Sequence, residues 1–103
     1  MASIELRGTV AEIKPCEVYV DGDAMPGHEI TLNQPDFEAY NTSQGMKYFP
    51  PKVRIGAHRL KVVPNYGDLV RIFCRTSARR GSGENASKTY VNMDGRLLEV
   101  LKG

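Results

Sequence analysis

The chain has 103 residues, 41% of them hydrophobic and 25% charged, the size and composition of one ordinary globular domain, which excludes a wholly disordered chain. No apolar run approaches the roughly 20 residues needed to cross a bilayer, and Met1-Ala2-Ser3-Ile4-Glu5-Leu6-Arg7 lacks the apolar stretch of a secretory signal, so a cytoplasmic protein with no membrane partner is expected. The net charge of +2 hides a segregation. Residues 1–51 carry three basic against eight acidic side chains, net −5; residues 52–80 carry eight against one, net +7; residues 81–103 carry three of each. Such asymmetry is expected to meet a polyanion, the plainer alternative being a solvated basic surface.

Residues 4–13 alternate, with Ile4, Leu6 and Val10 on one side and Glu5, Arg7 and Thr9 on the other. This predicts a half-buried strand with a bend at Gly8. Pro15 is expected to interrupt it, Val18 and Val20 to continue it briefly, and Asp21-Gly22-Asp23 to turn the chain. His28-Glu29-Ile30-Thr31-Leu32 predicts a third extended piece. Residues 33–51 hold Pro35, Gly45, Pro50 and Pro51 and predict a long loop, with one helical turn from Asp36 to Tyr40 at most. Lys52-Val53-Arg54-Ile55 starts a strand, residues 57–63 suit either a short helix or more strand, and Pro64-Asn65-Tyr66-Gly67-Asp68 is a turn. Residues 69–75 are the clearest strand in the chain. A Gly/Ser/Arg-rich loop follows over residues 77–87, then a strand over residues 88–93, a hairpin turn at Asp94-Gly95 and a last strand over residues 96–101. Five or six short strands with one long insertion predict an all-β domain, a small barrel.

Alternate side chains of a strand face opposite sides. Val70, Ile72 and Cys74 therefore form a core face, and Arg71, Phe73 and Arg75 the other. Thr89, Val91 and Met93 repeat the apolar face, and Lys88, Tyr90 and Asn92 the basic–aromatic–polar one. Paired as a hairpin, the two runs are expected to bring Phe73 and Tyr90 onto one surface ringed by Arg71, Arg75 and Lys88, with Arg79 and Arg80 in the joining loop. Arg54 lies opposite Val53 and Ile55 on the preceding strand, just after Tyr48-Phe49. Cations for phosphates and flat rings for unpaired bases are what single-stranded nucleic acid requires. The alternative is that both rings pack under a loop or in a protein interface. Cys16 and Cys74 read as small hydrophobes rather than a disulfide. His28 and His58 have no companions at metal-ligand spacing. Asp21 and Asp23 flank a turn glycine, and Gly81-Ser82-Gly83 reads as a flexible loop. No nucleophile or phosphate-loop motif is present, so neither catalysis nor a cofactor or metal is expected.

The order of these features resembles the OB-fold single-stranded DNA-binding proteins of the bacterial replication type. Residues 4–10 are similar to that family's first strand, Gly27-His28-Glu29-Ile30-Thr31-Leu32 to its second, and Lys52-Val53-Arg54-Ile55-Gly56 to its third. Gly67-Asp68-Leu69-Val70-Arg71-Ile72 is similar to the entry of the fourth and is the most specific match. Residues 76–88 are similar to the long loop between strands four and five that grips the nucleic acid. The resemblance implies a five-stranded OB-like barrel with a short helix over residues 57–63, between strands three and four. The chain departs from the family in having no tryptophan, in Cys74 where a glycine is usual, and in ending at Leu101-Lys102-Gly103 without an acidic tail. That implies a short relative of phage, plasmid or primosomal type.

The expectation is thus one OB-like domain over residues 1–103 that binds single-stranded nucleic acid, DNA rather than RNA, in replication or recombination, as a possible homodimer or higher oligomer. Tyr48, Phe73 and Tyr90 are the expected stacking rings. Arg54, Arg71, Arg75, Arg79, Arg80 and Lys88 are the expected phosphate contacts. A barrel whose aromatic face meets another protein, and an RNA-binding barrel, are the alternatives.

Overall fold

Val10, Ile30, Leu32, Val53, Ile55, Val70, Ile72 and Cys74, spaced by alternation along four strands, are each less than 4% exposed and meet in one core. Each such side chain contributes about 1.5–3 kcal/mol on burial. The computed structural model describes residues 2–85 and 89–103, with the side chains of residues 2, 79, 80, 85 and 89–91 outside the description. Around the core the strands β1 (Ala2–Val20), β2 (Asp23–Asn33), β3 (Lys52–Gly56), β4 (Leu69–Arg80) and β5 (Thr89–Lys102) close a barrel in the order β1-β2-β3-β5-β4. The domain is all-β, a small five-stranded OB-like barrel with one short α-helix, α1 (Pro35–Ser43).

The barrel carries two arms. β1 pairs with β4 only from Ala2 to Thr9 and with β2 from Thr9 to Val20, and β2 pairs with β3 only from Gly27 to Thr31, so residues 17–20 and 23–26 extend as a hairpin beyond the wall. Asp21 and Gly22 turn that hairpin with φ of 52° and 84°. Two consecutive positive φ values mark a type I′ turn, whose twist suits the flanking strands. Pro15 does not interrupt β1. It sits opposite His28, on the half that only β2 flanks, where a missing N–H is tolerated. The second arm pairs Thr76–Arg80 of β4 with Thr89–Met93 of β5.

This register corrects the sequence reading. Residues 69–75 pair with residues 94–102, not with residues 88–93, and β4 continues through residues 77–80 where a loop was expected. Val70 and Ile72 are buried as expected and Met93 partly so; the Val91 side chain lies outside the described residues. Asp94-Gly95 is no turn, because β5 continues through it without reversing. Gly95 is there for closure: a Cβ on it would stand 2.9 Å from Ile55 Cβ and 3.1 Å from Val53 Cγ1. The barrel closes at this point through a parallel β3–β5 contact of two residue pairs, Arg54 with Asp94 and Ile55 with Gly95.

The helix is also displaced from its expected place. Residues 57–63 give only a 3₁₀ turn, Ala57–Arg59; no side chain caps it, and Val62, Val63 and Pro64 cannot extend it. α1 instead lies between β2 and β3. Pro35 occupies its first turn with Asp36 and Glu38, as the helix N-terminus favours. At its end Gly45 N donates to Thr42 O (3.0 Å) and Met46 N to Asn41 O (2.8 Å), a Schellman stop.

Candidate functional site

Of the expected site residues, Phe73 and Arg75 come together. Phe73 is half-buried on the outer face of β4, between Glu5 of β1 and Leu97 of β5, and Arg75 is exposed two residues on. They line a cleft of about 660 Å³ with Arg59 and Arg96, floored by Ile4 and Cys74 and bordered by Glu5. Three guanidinium groups against one carboxylate make this cleft electropositive. Arg59 and Arg75 have no carboxylate within ion-pair distance among the described residues, whereas Arg96 meets Asp94 at 3.0 Å.

The sequence reading missed Arg59 and Arg96. Arg96 reaches the cleft because β5 bulges there: Gly95 pairs with Cys74 and Leu97 with Phe73, so Arg96 is the extra residue. A bulge re-aims a side chain in this way. The only sequence signal was Asp94-Gly95, which also spells a turn. Arg59 rides on the 3₁₀ turn after β3 and had no periodic signal at all.

Arg71 has other work. Its guanidinium pairs with Glu99 and, at 3.6 Å, with Glu5, and it stands 5.4 Å from the Phe73 ring centroid. The Glu99 hydrogen bond and charge raise its pKa further above the already high arginine value. Arg71 thus holds the Phe73 ring from one side instead of standing free. Arg54 is likewise engaged, with Glu29 at 3.2 Å.

Arg54 and Lys52 line a second cleft, of about 570 Å³, between the two arms. Tyr19, 73% exposed near the tip of the first arm, overhangs it, and Asn92 of the second arm lies across. Glu17, Glu29 and Asp94 outnumber its two cations. A smaller hollow of about 300 Å³ shares Tyr19 and Asp94 with this cleft and Arg59 and Arg96 with the first. The three hollows are therefore neighbours along one face, from Lys52 past Arg96 to Phe73 and Arg75, electropositive at the Phe73 end.

Tyr48 stands elsewhere. It is half-buried at the base of α1, where loss of solvent raises its phenol pKa and the Gln34 backbone opposes the rise. Arg79 and Tyr90 are opposite each other on the second arm and Arg80 is next along it, their side chains outside the description; Lys88 lies outside the described residues. Arg79 lies six positions along β4 from Phe73, about 20 Å of strand, so the backbone of Tyr90, paired with Arg79, stands well away from that of Phe73. Burial pushes the Cys74 thiol beneath the cleft up to about 11, with Asp94 adding to the rise. Among the described residues no three His, Cys, Asp or Glu side chains gather as a metal site, and no helix is long and apolar enough to cross a membrane. Neither a family model, nor a curated protein, nor a solved structure matches the chain.

Proposed function

We propose that the chain is a non-enzymatic binding module for single-stranded nucleic acid, DNA in preference to RNA, with little regard for sequence, serving replication or recombination. The observation that carries this reading is the cleft in which Arg59, Arg75 and Arg96 surround the half-buried ring of Phe73. A flat ring edged with guanidinium groups suits an unpaired base and its flanking phosphates. The stack contributes about 1–3 kcal/mol, and each neutralised phosphate releases counterions. The row of hollows continues past Arg96 toward Lys52 beneath Tyr19, which supplies a second ring in line. We assign Arg79, Arg80 and Tyr90 to the same nucleic-acid strand, because β4 and β5 carry the second arm onward from Arg75; Lys88, outside the described residues, is assigned with them on sequence alone. Arg54 and Arg71, being ion-paired, brace this face, and Tyr48 braces α1.

Fluorescence anisotropy with labelled oligo-dT, oligo-rU and duplex DNA, at two salt concentrations, tests the reading. Oligo-dT is expected to bind tightest and to weaken with salt. Arg59→Ala with Arg75→Ala should flatten the slope of log K against log salt by about 0.7 per contact removed. Equal binding of duplex and oligo-dT, or no binding at low salt, would overturn it.

A further inference from the structure

α1 is a helix without an inside. None of its residues is buried, and Phe37 and Tyr40, which its spacing sets on one side, are 61% and 60% exposed. A helix of nine residues is marginal alone, and helices in proteins persist chiefly by packing an apolar face. Asp36 and Glu38 stand in its first turn, with no basic residue in its last. The arginine cleft is its complement, with the guanidinium groups of Arg59 and Arg75, which meet no carboxylate among the described residues, beside the Phe73 ring and the part-exposed Ile4.

The two features lie at opposite ends of the same strands. α1 departs beside Arg7, Thr9 and Leu69, where Gln34 Nε2 donates to Arg7 O at 3.0 Å. The cleft lies against the other end of the β1–β4 ladder, at Ser3, Glu5 and Arg75. Six residues of strand put them about 20 Å apart, so the helix cannot enter its own molecule's cleft. The segregation of acidic residues into the first half of the sequence and basic residues into the second thus separates an acidic, aromatic projection from a basic, aromatic recess.

We propose that α1 of one copy docks in the arginine cleft of a second copy. Phe37 and Tyr40 cover Phe73 and Ile4, and Asp36 and Glu38 face Arg59 and Arg75. The contact is heterologous, leaving a helix free at one end and a cleft at the other, so it propagates or closes into a ring. It stands independently of the nucleic-acid reading, although both use the same cleft.

Sedimentation velocity of the full chain over a range of concentrations tests this. The parent is expected to form larger species at low salt that disperse at high salt. D36R with E38R, and separately R59E with R75E, should each be monomeric, while mixing the two should restore assembly, because each helix then meets a cleft of opposite charge. F37S with Y40S should abolish assembly without changing charge. A parent that stays monomeric throughout, a variant that assembles like the parent, or a mixture of folded variants that stays monomeric would overturn the proposal. Excess oligo-dT should disperse the parent assembly. An assembly that forms while oligo-dT fails to bind would leave this inference standing and remove the nucleic-acid one.

Discussion

Three arginines on the barrel's outer wall have three different fates, decided by their neighbours. Arg71 is held between Glu99 and Glu5, Arg96 leans on Asp94, and Arg75 stands exposed with no carboxylate partner among the described residues. Replacing Arg71 by alanine leaves Glu99 without its arginine, leaves Glu5 to Arg7, and removes a cover from Phe73, and should lower the urea midpoint of unfolding. Arg75→Ala should leave stability within about 0.5 kcal/mol and act on what the cleft binds. If Arg75→Ala unfolds the domain more than Arg71→Ala does, this division of roles is wrong. Cys74 supplies a pH dependence. Its thiol ionises near 9.0 when exposed and at about 11 in the fold. The folded state therefore binds the proton more tightly. Stability is complete below pH 9 and falls as pH rises from about 9 to 11, by up to about 2–3 kcal/mol. A Cys74→Ala variant, though less stable at neutral pH, should show a shallower decline over that window in denaturation at stepped pH.

At the scale of elements, Gly95 tests the account of closure. Gly95→Ala pushes a methyl group against Ile55 and Val53, and should cost about 1–3 kcal/mol as overpacking does. A hairpin-turn glycine would instead be paying for its dihedral angles. Wild-type stability in Gly95→Ala would show that the β3–β5 approach is looser than described. The same residue shows where sequence reasoning stops. Alternation located all five strands and most of the core, since inward positions in β2, β3 and β4 are apolar without exception from Ile30 to Cys74. It could not distinguish an Asp-Gly turn from an Asp-Gly passing close under another strand, because both need a residue without a side chain. That one ambiguity moved the β4–β5 register, separated Tyr90 from Phe73, and hid Arg96. The helix was read too short for a different reason. α1 buries nothing, so it has no apolar period to read, and Pro35 and Gly45, which bound it, spelled a loop around a single turn from Asp36 to Tyr40.

For the whole molecule, the barrel's ladders are unequal. β1 and β2 share eleven paired positions and β4 and β5 twelve, whereas β3 and β5 share two. The wall is therefore a long ribbon zipped shut by its weakest stitch, and that stitch lies beneath the row of hollows from Lys52 to Arg75. A ligand spanning Lys52 on one side and Arg75 on the other would act as a clasp across the seam. Its grip would appear as slower amide exchange in residues 53–55, remote from most of the phosphate contacts. A fraying barrel would open there first, parting the two arms while the antiparallel ladders hold. The expected signature is that amides of β3 exchange fastest among the core strands of the free protein and gain the most protection with saturating oligo-dT. Uniform exchange across β2, β3 and β4 would mean that the seam is as firm as the rest of the wall.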